Sequence, residues 1–205
     1  YSKPDIAVIA NIGTAHIGRL GSRENIANAK CEIIKYLKQN GTLIAHRDSL
    51  LQKVVSFRTK PTREMGLALN FPKWSRGENF EKIYFSLNDV QILERKVGYT
   101  KFIYKDEEFE LQVEGDYNVQ DSLAAINTGL KLGMSFDEIK RGLRKYSPIE
   151  KRWEAETISG FNVINDSYNA NPDSVKAAVE TFVELYSVNN TKLLIVLGDM
   201  GELGE

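Results

Sequence analysis

Two short apolar runs, each followed by small polar residues and then by a helical pattern, organise the chain. The first run, residues 5–12, contains Ile-Ala-Val-Ile-Ala and leads into Asn-Ile-Gly-Thr-Ala-His at 11–16. The second run, Phe161–Ile164, leads into the polar residues of 165–171. Near-continuous apolar runs are typical of strands that are buried in a parallel sheet. Because ligands in open α/β sheets bind beyond the carboxyl ends of the strands, both polar strings are candidate sites.

The helix predicted after the first run extends from Ser22, a suitable N-cap, to about Leu37. Lys30 falls in the middle of its predicted apolar face, which consists of Ile26, Ala29, Ile33, Ile34 and Leu37. A lysine in such a face usually extends to water or pairs with a carboxylate. The alternative is that Lys30 reaches a ligand. A buried amine is readily deprotonated, and a neutral amine reacts with carbon dioxide to give a carbamate, an anionic oxygen ligand of the kind that Mg²⁺ prefers.

The helix predicted after the second run begins with Asn171 as its cap and Pro172 at its first position. Asp173 in the first turn favours the positive end of the helix dipole. Together the segments Thr157–Ile164, Pro172–Tyr186 and Lys192–Leu197 predict a strand–helix–strand unit, followed by a Gly/Asp-rich loop at 198–204.

Between these units the pattern changes several times. It predicts a strand at Thr42–Ala45, a helix at 47–58, a connection at 59–80 with one strand near 66–69, and an antiparallel meander from Lys82 to Val113. Two helices follow, one from Gly115 to about Leu132 and one from a Ser135–Glu138 capping box to about Tyr146.

The predicted fold class is therefore α/β, with a mostly parallel sheet, flanking helices and a small antiparallel meander. The start of a Rossmann-like α/β unit follows it. The Pro-containing, charged stretch 147–152 is the best boundary, which divides the chain into domains at 1–149 and 150–205.

Composition narrows the functional classes. The chain has 205 residues and a net charge of −1, which gives no electrostatic reason to expect nucleic acid or an anionic membrane as partner. The single cysteine, Cys31, excludes an internal disulfide framework and fits a reducing cytoplasm. No apolar run approaches the roughly 20 residues of a membrane span. Because the chain begins at Tyr1 and ends at Glu205, just after a predicted strand, a fragment of a longer protein is expected.

Several motifs together resemble the Mur ligase family. Asp-Ser-Tyr-Asn-Ala-Asn-Pro at 166–172 resembles the signature of the members that add D-alanyl-D-alanine to the cell-wall precursor. Residues 11–16, 21–24 and 29–30 resemble the motif of the central, ATP-binding domain. Gly115-Asp116-Tyr117-Asn118 resembles the family's Gly-x-His-Asn-x-x-Asn, with Tyr117 in place of the His and Asp121 in place of the second Asn. The resemblance is weak between about 45 and 110.

The resemblance implies that His16 and a carbamoylated Lys30 hold Mg²⁺. It also implies that Arg152 reaches the γ-phosphate of ATP from across the domain boundary. These three residues are the candidate catalytic groups.

Other matching positions would bind the nucleotide. Asn118 would contact the adenine, as would Asp121, whose carboxylate can accept a hydrogen bond from an exocyclic amine. Asp166 and Asn169 would lie near the ribose and phosphates, and Arg152 would also contact the nucleotide, at its γ-phosphate.

The implied reaction is ATP-dependent amide-bond formation in peptidoglycan precursor synthesis. It adds D-alanyl-D-alanine to UDP-N-acetylmuramoyl-tripeptide through an acyl phosphate, in a monomeric enzyme of the bacterial cytoplasm. The family's phosphate loop, Gly-x-x-x-x-Gly-Lys-[Ser/Thr], does not occur in the 205 residues, so this chain alone is expected to be inactive. Two alternatives stay open: another ligase of the superfamily, such as a folylpolyglutamate or cyanophycin synthetase, and a non-catalytic scaffold module.

Overall fold

A computed structural model describes residues 2–59, 79–188 and 191–201, without the side chains of 57–59. Its helices are α1 (Ile17–Leu20), α2 (Arg23–Cys31), α3 (Ser49–Thr59), α4 (Asp116–Lys131), α5 (Phe136–Leu143) and α6 (Pro172–Tyr186). Its strands are β1 (Ile6–Ile9), β2 (Thr42–His46), β3 (Glu81–Phe85), β4 (Val90–Lys96), β5 (Tyr99–Tyr104), β6 (Glu107–Leu111), β7 (Glu154–Ile158) and β8 (Phe161–Asn165). The predicted α/β class is confirmed. The strand predicted near 66–69 lies outside the described residues.

A parallel sheet of order β1-β2-β3 organises the first half of the chain. Ile6 pairs with Thr42, and Thr42 pairs with Glu81. The prediction that the meander begins at Lys82 is wrong, because β3 joins this parallel sheet instead. The short sequence of β3, Glu-Lys-Ile-Tyr-Phe, is compatible with either kind of pairing, so the sequence alone could not choose between them.

The antiparallel meander is smaller than predicted and consists of β4, β5 and β6. Lys105 and Asp106 both adopt left-handed backbone angles, with φ of 53° and 62°, in the two-residue turn between β5 and β6. Such a turn matches the twist of a hairpin. The alternating aromatic and aliphatic residues of β5, β6 and the residues just after β6 are buried: Phe102, Tyr104, Phe109, Leu111 and Val113.

The two faces of β2 contribute to two groups of buried side chains. Leu43 and Ala45 pack on one side with residues of α2 and α3. Ile44 packs on the other side with the meander, α4 and α5. Successive side chains of a strand point to opposite faces, so one buried strand joins both cores.

The predicted apolar face of α2 is partly wrong. Its buried positions, with the short 3₁₀ helix Glu32–Tyr36 that continues it, are Ile26, Ala27, Asn28, Cys31, Ile34 and Leu37. The tighter winding after Cys31 rotates the later positions, and the small Ala27 and Cys31 can face α3 closely. Ile33 is 40% exposed, and Lys30 lies at the border of the buried face rather than in its middle.

Local signals at the helix ends are confirmed where they could be tested. The hydroxyl of Ser22 accepts a hydrogen bond from the Asn25 N–H at the start of α2. Ser135 and Glu138 form a capping box at α5, and Asn171 caps α6 directly before Pro172. No helix among the described residues combines the length and apolarity needed to cross a bilayer.

The C-terminal part differs from the predicted strand–helix–strand unit. Residues 154–165 form a hairpin, because Ser159 and Gly160, with φ of 51° and 83°, reverse the chain between β7 and β8. Phe161 is 73% exposed, so the prediction of a buried strand here is wrong. Lys192–Leu197 is not a strand in the described part of the chain, where the residues around it supply no neighbouring strand.

Candidate functional site

The first candidate region is the loop after β1, residues 11–16. The last residue of this loop, His16, has a left-handed backbone, φ 63°, and directly precedes the short helix α1. The Thr14 carbonyl accepts a hydrogen bond from the Ile17 N–H at 3.1 Å, which closes a turn around His16. The imidazole is therefore presented at the surface, directly beyond the carboxyl end of a parallel strand.

Two cations from α2 hold the carbonyl groups of this loop. Lys30 Nζ donates to the Asn11 backbone oxygen at 2.9 Å and to Asn11 Oδ1 at 3.3 Å. Arg23 donates to the Ile12 carbonyl at 2.8 Å. Burial lowers the pKa of the Lys30 ammonium below its usual value. Lys30 thus has a carbonyl partner rather than a carboxylate partner, and it reaches the same loop that presents His16.

An anion from the C-terminal part holds the next peptide group of the loop. The Asp173 carboxylate oxygen Oδ2 accepts from the Thr14 N–H at 2.7 Å and from the Thr14 hydroxyl at 2.8 Å. A Cβ atom on Gly13 would lie 3.1 Å from the same oxygen, so glycine suits this close approach. Asp173 belongs to the first turn of α6, immediately after the 166–172 motif.

The second candidate region surrounds the start of that motif. Asp166 Oδ1 accepts from the Trp153 backbone N–H at 3.2 Å. Burial raises the pKa of the Asp166 carboxyl, while the N–H of Trp153 and the charge of Arg152 oppose the rise. The Arg152 guanidinium lies over the Tyr168 ring, 4.2 Å from its centroid. The structure therefore brings Arg152 and Asp166 close together, and their roles at a nucleotide stay predictions.

Tyr117 and Trp153 form an aromatic pair beside this region, with ring centroids 6.3 Å apart. The Tyr117 hydroxyl and the Trp153 indole N–H are both buried, and neither has a hydrogen-bond partner among the described residues. Burial, with smaller contributions from Asp166 and Glu114, raises the pKa of the Tyr117 hydroxyl well above its usual range. A buried donor without a partner is costly, so a ligand or water that satisfies both donors would be stabilised here.

The remaining predicted nucleotide-binding residues have local roles in this state. Asn118 Nδ2 donates to the Glu114 carbonyl at 2.6 Å at the start of α4. Asp121 lies one helical turn after Asn118 on α4, and partial burial of its carboxyl raises its pKa. Asn169 Oδ1 accepts from the Ala170 N–H at 2.9 Å.

Three residues of the two regions have left-handed backbone angles that non-glycine residues rarely adopt. They are His16 at 63°, Lys151 at 60° and Trp153 at 53°. Each such conformation costs on the order of 1–3 kcal/mol, and they cluster at functional sites. Lys151 and Trp153 flank Arg152, so its position is set by an unusual backbone.

The predicted residues thus fall into two groups that the 166–173 segment connects. His16 and Lys30 lie at the loop after β1, and Arg152 and Asp166 lie beside Tyr117 and Trp153. The described residues contain no cluster of three or more His, Cys, Asp or Glu side chains that could hold a metal ion.

Sequence reasoning did not find the parts played by Thr14, Trp153 and Asp173. The sequence pattern marks Asp173 only as a charge at a helix end, and nothing in it points to Thr14, 159 residues away. Tyr117 had a signal, because it departs from the family's histidine.

Two family models match the chain: the Mur ligase middle domain over residues 1–129 and the glutamate ligase domain of Mur ligases over 151–205. The chain is 36% identical over 206 residues to the Bacillus subtilis UDP-N-acetylmuramoyl-tripeptide–D-alanyl-D-alanine ligase, with 100% of this chain and 41% of that protein covered.

Solved structures of Mur ligases are also similar to this chain. MurF from Acinetobacter baumannii matches 99% of the chain and 42% of its own, with a TM-score of 0.77 and 26% identity. MurF ligase from Thermotoga maritima in complex with ADP matches 100% of the chain and 44% of its own, with a TM-score of 0.70 and 21% identity, which speaks to the fold alone. The chain spans about two fifths of the length of the curated relatives that it matches. With one model covering more than half of its residues and the motifs in matching order, the chain belongs to the Mur ligase family.

Proposed function

We propose that this protein takes part in ATP-dependent amide-bond formation that joins D-alanyl-D-alanine to UDP-N-acetylmuramoyl-tripeptide, through an acyl phosphate, in peptidoglycan precursor synthesis. The observation that carries the proposal is the position of the 166–173 segment. Its first residue, Asp166, contacts Trp153, and its last, Asp173, contacts Thr14. The segment with the D-alanyl-D-alanine signature therefore connects both candidate regions, and the Bacillus subtilis relative carries this reaction in its name.

For Mg²⁺ the proposed holders are His16 and a carbamoylated Lys30. Their fit rests on the shared loop: one presents an imidazole from it, and the other reaches it at Asn11. The lowered pKa of Lys30 favours the neutral amine. That amine would add to carbon dioxide through a new N–C bond, and one proton would leave to solvent. The anionic carbamate oxygens could not stay against the Asn11 carbonyl oxygen, so the modified side chain would release Asn11.

For ATP the proposed contacts are Arg152, Asp166 and Asn169, with Asn118 and Asp121 at the base. ATP supplies the phosphoryl group that activates the peptide carboxylate, and Mg²⁺ offsets phosphate charge. Arg152 rests its flat face on Tyr168, which leaves its N–H edges for phosphate oxygens. The buried Tyr117 hydroxyl and Trp153 N–H are two further donors at the same place. Docking of the two domains, for which we propose the division at 149/150, would exclude water from the reacting carbonyl.

The test is phosphate release by the intact protein that contains this chain. It is measured with ATP and UDP-N-acetylmuramoyl-tripeptide, with and without D-alanyl-D-alanine. We expect release that depends on the dipeptide. Lys30→Ala should lower turnover at least about 100-fold, as losses of charge-stabilising groups do. Lys38→Ala is the matched control, because the Lys38 ammonium forms an exposed ion pair with Asp5 at 2.8 Å, outside both candidate regions.

Other results would redirect the proposal. Release only with a different carboxylate and amine would favour a folylpolyglutamate- or cyanophycin-type ligase, against which the 166–172 motif and the Bacillus subtilis relative stand. Absence of release with every pair would favour the scaffold alternative. Normal turnover in Lys30→Ala would remove the carbamate from the mechanism. The monomeric state and the cytoplasmic location stay predictions.

A further inference from the structure

Asp173 is the side chain by which the C-terminal part reaches the loop of the first candidate region. We infer that Asp173 is a positioning residue: by binding Thr14 it fixes the turn that presents His16, so that docking of α6 and formation of the metal-binding turn are one event. The inference rests on the proposed function for the role of His16, but the contact itself is independent of it.

The geometry at Thr14 is specific. The backbone N–H and the hydroxyl converge on one carboxylate oxygen at 2.7 and 2.8 Å. Hydrogen bonds to an ionised acceptor are roughly twice as strong as neutral ones. The carbonyl of the same residue accepts from the Ile17 N–H, and the His16 carbonyl accepts from Arg19 and Leu20. Holding Thr14 therefore holds one side of the turn in which His16 lies.

Asp173 is itself held in place by its helix. The Asn171 side chain accepts from the Ser174 N–H, Ser174 Oγ caps in return, and Pro172 restricts the first turn. The carboxylate lies in the first turn of α6, at the positive end of the helix dipole. Loss of Asp173 would thus leave the helix start intact through its cap, while the contact with Thr14 disappears.

The C-terminal end of α6 also contacts the central part and can be compared with the Asp173 end. The Tyr186 hydroxyl donates to Glu114 Oε1 at 3.2 Å, and the other oxygen of this buried carboxylate accepts from the Gly98 N–H at 2.8 Å. A cavity of about 150 Å³ separates the middle of α6 from Arg95, Asp116 and Tyr117. The described helix is therefore attached to the central part by polar contacts at both ends, and only the Asp173 end touches the His16 loop.

Two readouts on the intact protein test the inference. The first is the nuclear magnetic resonance signal of the His16 imidazole, which needs no substrate. His16 and His46 are the two histidines in this chain's 205 residues, so a His16→Gln variant, in which the signal disappears, assigns it in the intact protein, and His46→Gln is the control. The second is the Mg²⁺ concentration that gives half-maximal activity.

We expect Asp173→Ala and Thr14→Val to shift the His16 signal and to raise the Mg²⁺ requirement about 10- to 100-fold, the usual cost of losing a partner behind a metal ligand. The double variant should be little worse than Asp173→Ala alone, because both changes break one contact. Thr14→Ser, which keeps the hydroxyl, should behave like the unaltered protein. Tyr186→Phe loosens the other end of α6 and should leave the His16 signal unchanged.

The outcomes distinguish the positioning role of Asp173 from the proposed function. An unshifted His16 signal in Asp173→Ala, or an equal shift in Tyr186→Phe, overturns the positioning role. A protein that forms no amide bond with any substrate pair overturns the proposed function, and with it the role in metal binding. A shifted signal with an unchanged Mg²⁺ requirement in an active enzyme also overturns the inference, because His16 would then move without consequence for the metal.

Discussion

The central part of the chain, up to residue 149, and the part from 150 onward contain similar apolar runs but bury them very differently. In the central part, Phe85, Phe102 and Leu123 are completely buried. Among the described residues from 150 onward, Trp153 and Thr181 are the buried ones, whereas Leu194 and Val196 are 82% and 85% exposed.

The difference shows that an apolar pattern specifies which side of an element can be buried but not whether a layer covers it. Leu43, Ile44 and Ala45 of β2 are fully buried because strands lie on both sides and helices cover both faces. Residues 192–197 have an equally apolar pattern, but the described neighbours contribute no layer against them.

The largest expected effect comes from truncating one phenylalanine in each part. Phe102→Ala removes a fully buried ring that stacks on Phe109, with centroids 5.6 Å apart. It should lower the free energy of unfolding by about 3–5 kcal/mol. Phe161→Ala, at a position 73% exposed, should change it by no more than about 0.5 kcal/mol. Chemical denaturation of both variants measures the two values, and similar losses would mean that the hairpin is covered in solution.

The N-caps of α5 and α6 should give a smaller and qualitatively different contrast. Removing either cap, with Ser135→Ala or Asn171→Ala, should cost about 1 kcal/mol. Ile139 of α5 packs in the core that contains Ile44 of β2, so Ser135→Ala should lower global stability. Because α6 is attached mainly at its ends, the second should appear as faster local amide exchange in α6 with little change in the global midpoint. Equal losses of global stability would show that α6 unfolds together with the core.

The smallest effect is the pH dependence of the α5 cap. Glu138 accepts from the hydroxyl and the N–H of Ser135, and these bonds lower the pKa of its carboxyl from its usual value. An acid whose pKa is lowered on folding stabilises the native state above its unfolded pKa, and the contribution is lost as pH falls through the folded pKa. Glu138→Gln should therefore destabilise the protein slightly at neutral pH and not at all in acid. Asp137→Asn removes a charge from the same turn as a control, and a difference that persists in acid would contradict the assignment.

Features encoded within a few residues could be predicted from the sequence, and features that depend on distant packing could not. The Ser135–Glu138 and Asn171–Pro172 caps are local, and both were predicted correctly. The prediction that Lys30 lies in the middle of the apolar face is wrong, because the buried face depends on the tighter winding after Cys31 and on the position of α3. The Ser159–Gly160 turn had a local signal, since Ser-Gly is a turn dipeptide, but the apolar run around it favoured one continuous strand.

The same distinction between local and distant features applies to the candidate site. The motifs identified His16, Lys30, Arg152 and Asp166, and the structure assembles them as two groups, whose roles stay proposals. The Asp173–Thr14 contact required the fold, because single-residue identities do not encode a partner so far away in the chain.

The burial of Trp153 also has a practical optical consequence. The chain's second tryptophan, Trp74, lies outside the described residues, so Trp74→Phe would make Trp153 this chain's sole indole emitter. Trp153 is 8% exposed, its ring lies beside Tyr117, and its indole N–H, at the boundary between the two parts of the chain, has no hydrogen-bond partner among the described residues. Indole emission shifts in colour with the polarity and hydrogen bonding of its surroundings. The strained residue that places Arg152 is thus also a native fluorophore that can record the arrival of a nucleotide or the separation of the two parts without any added label.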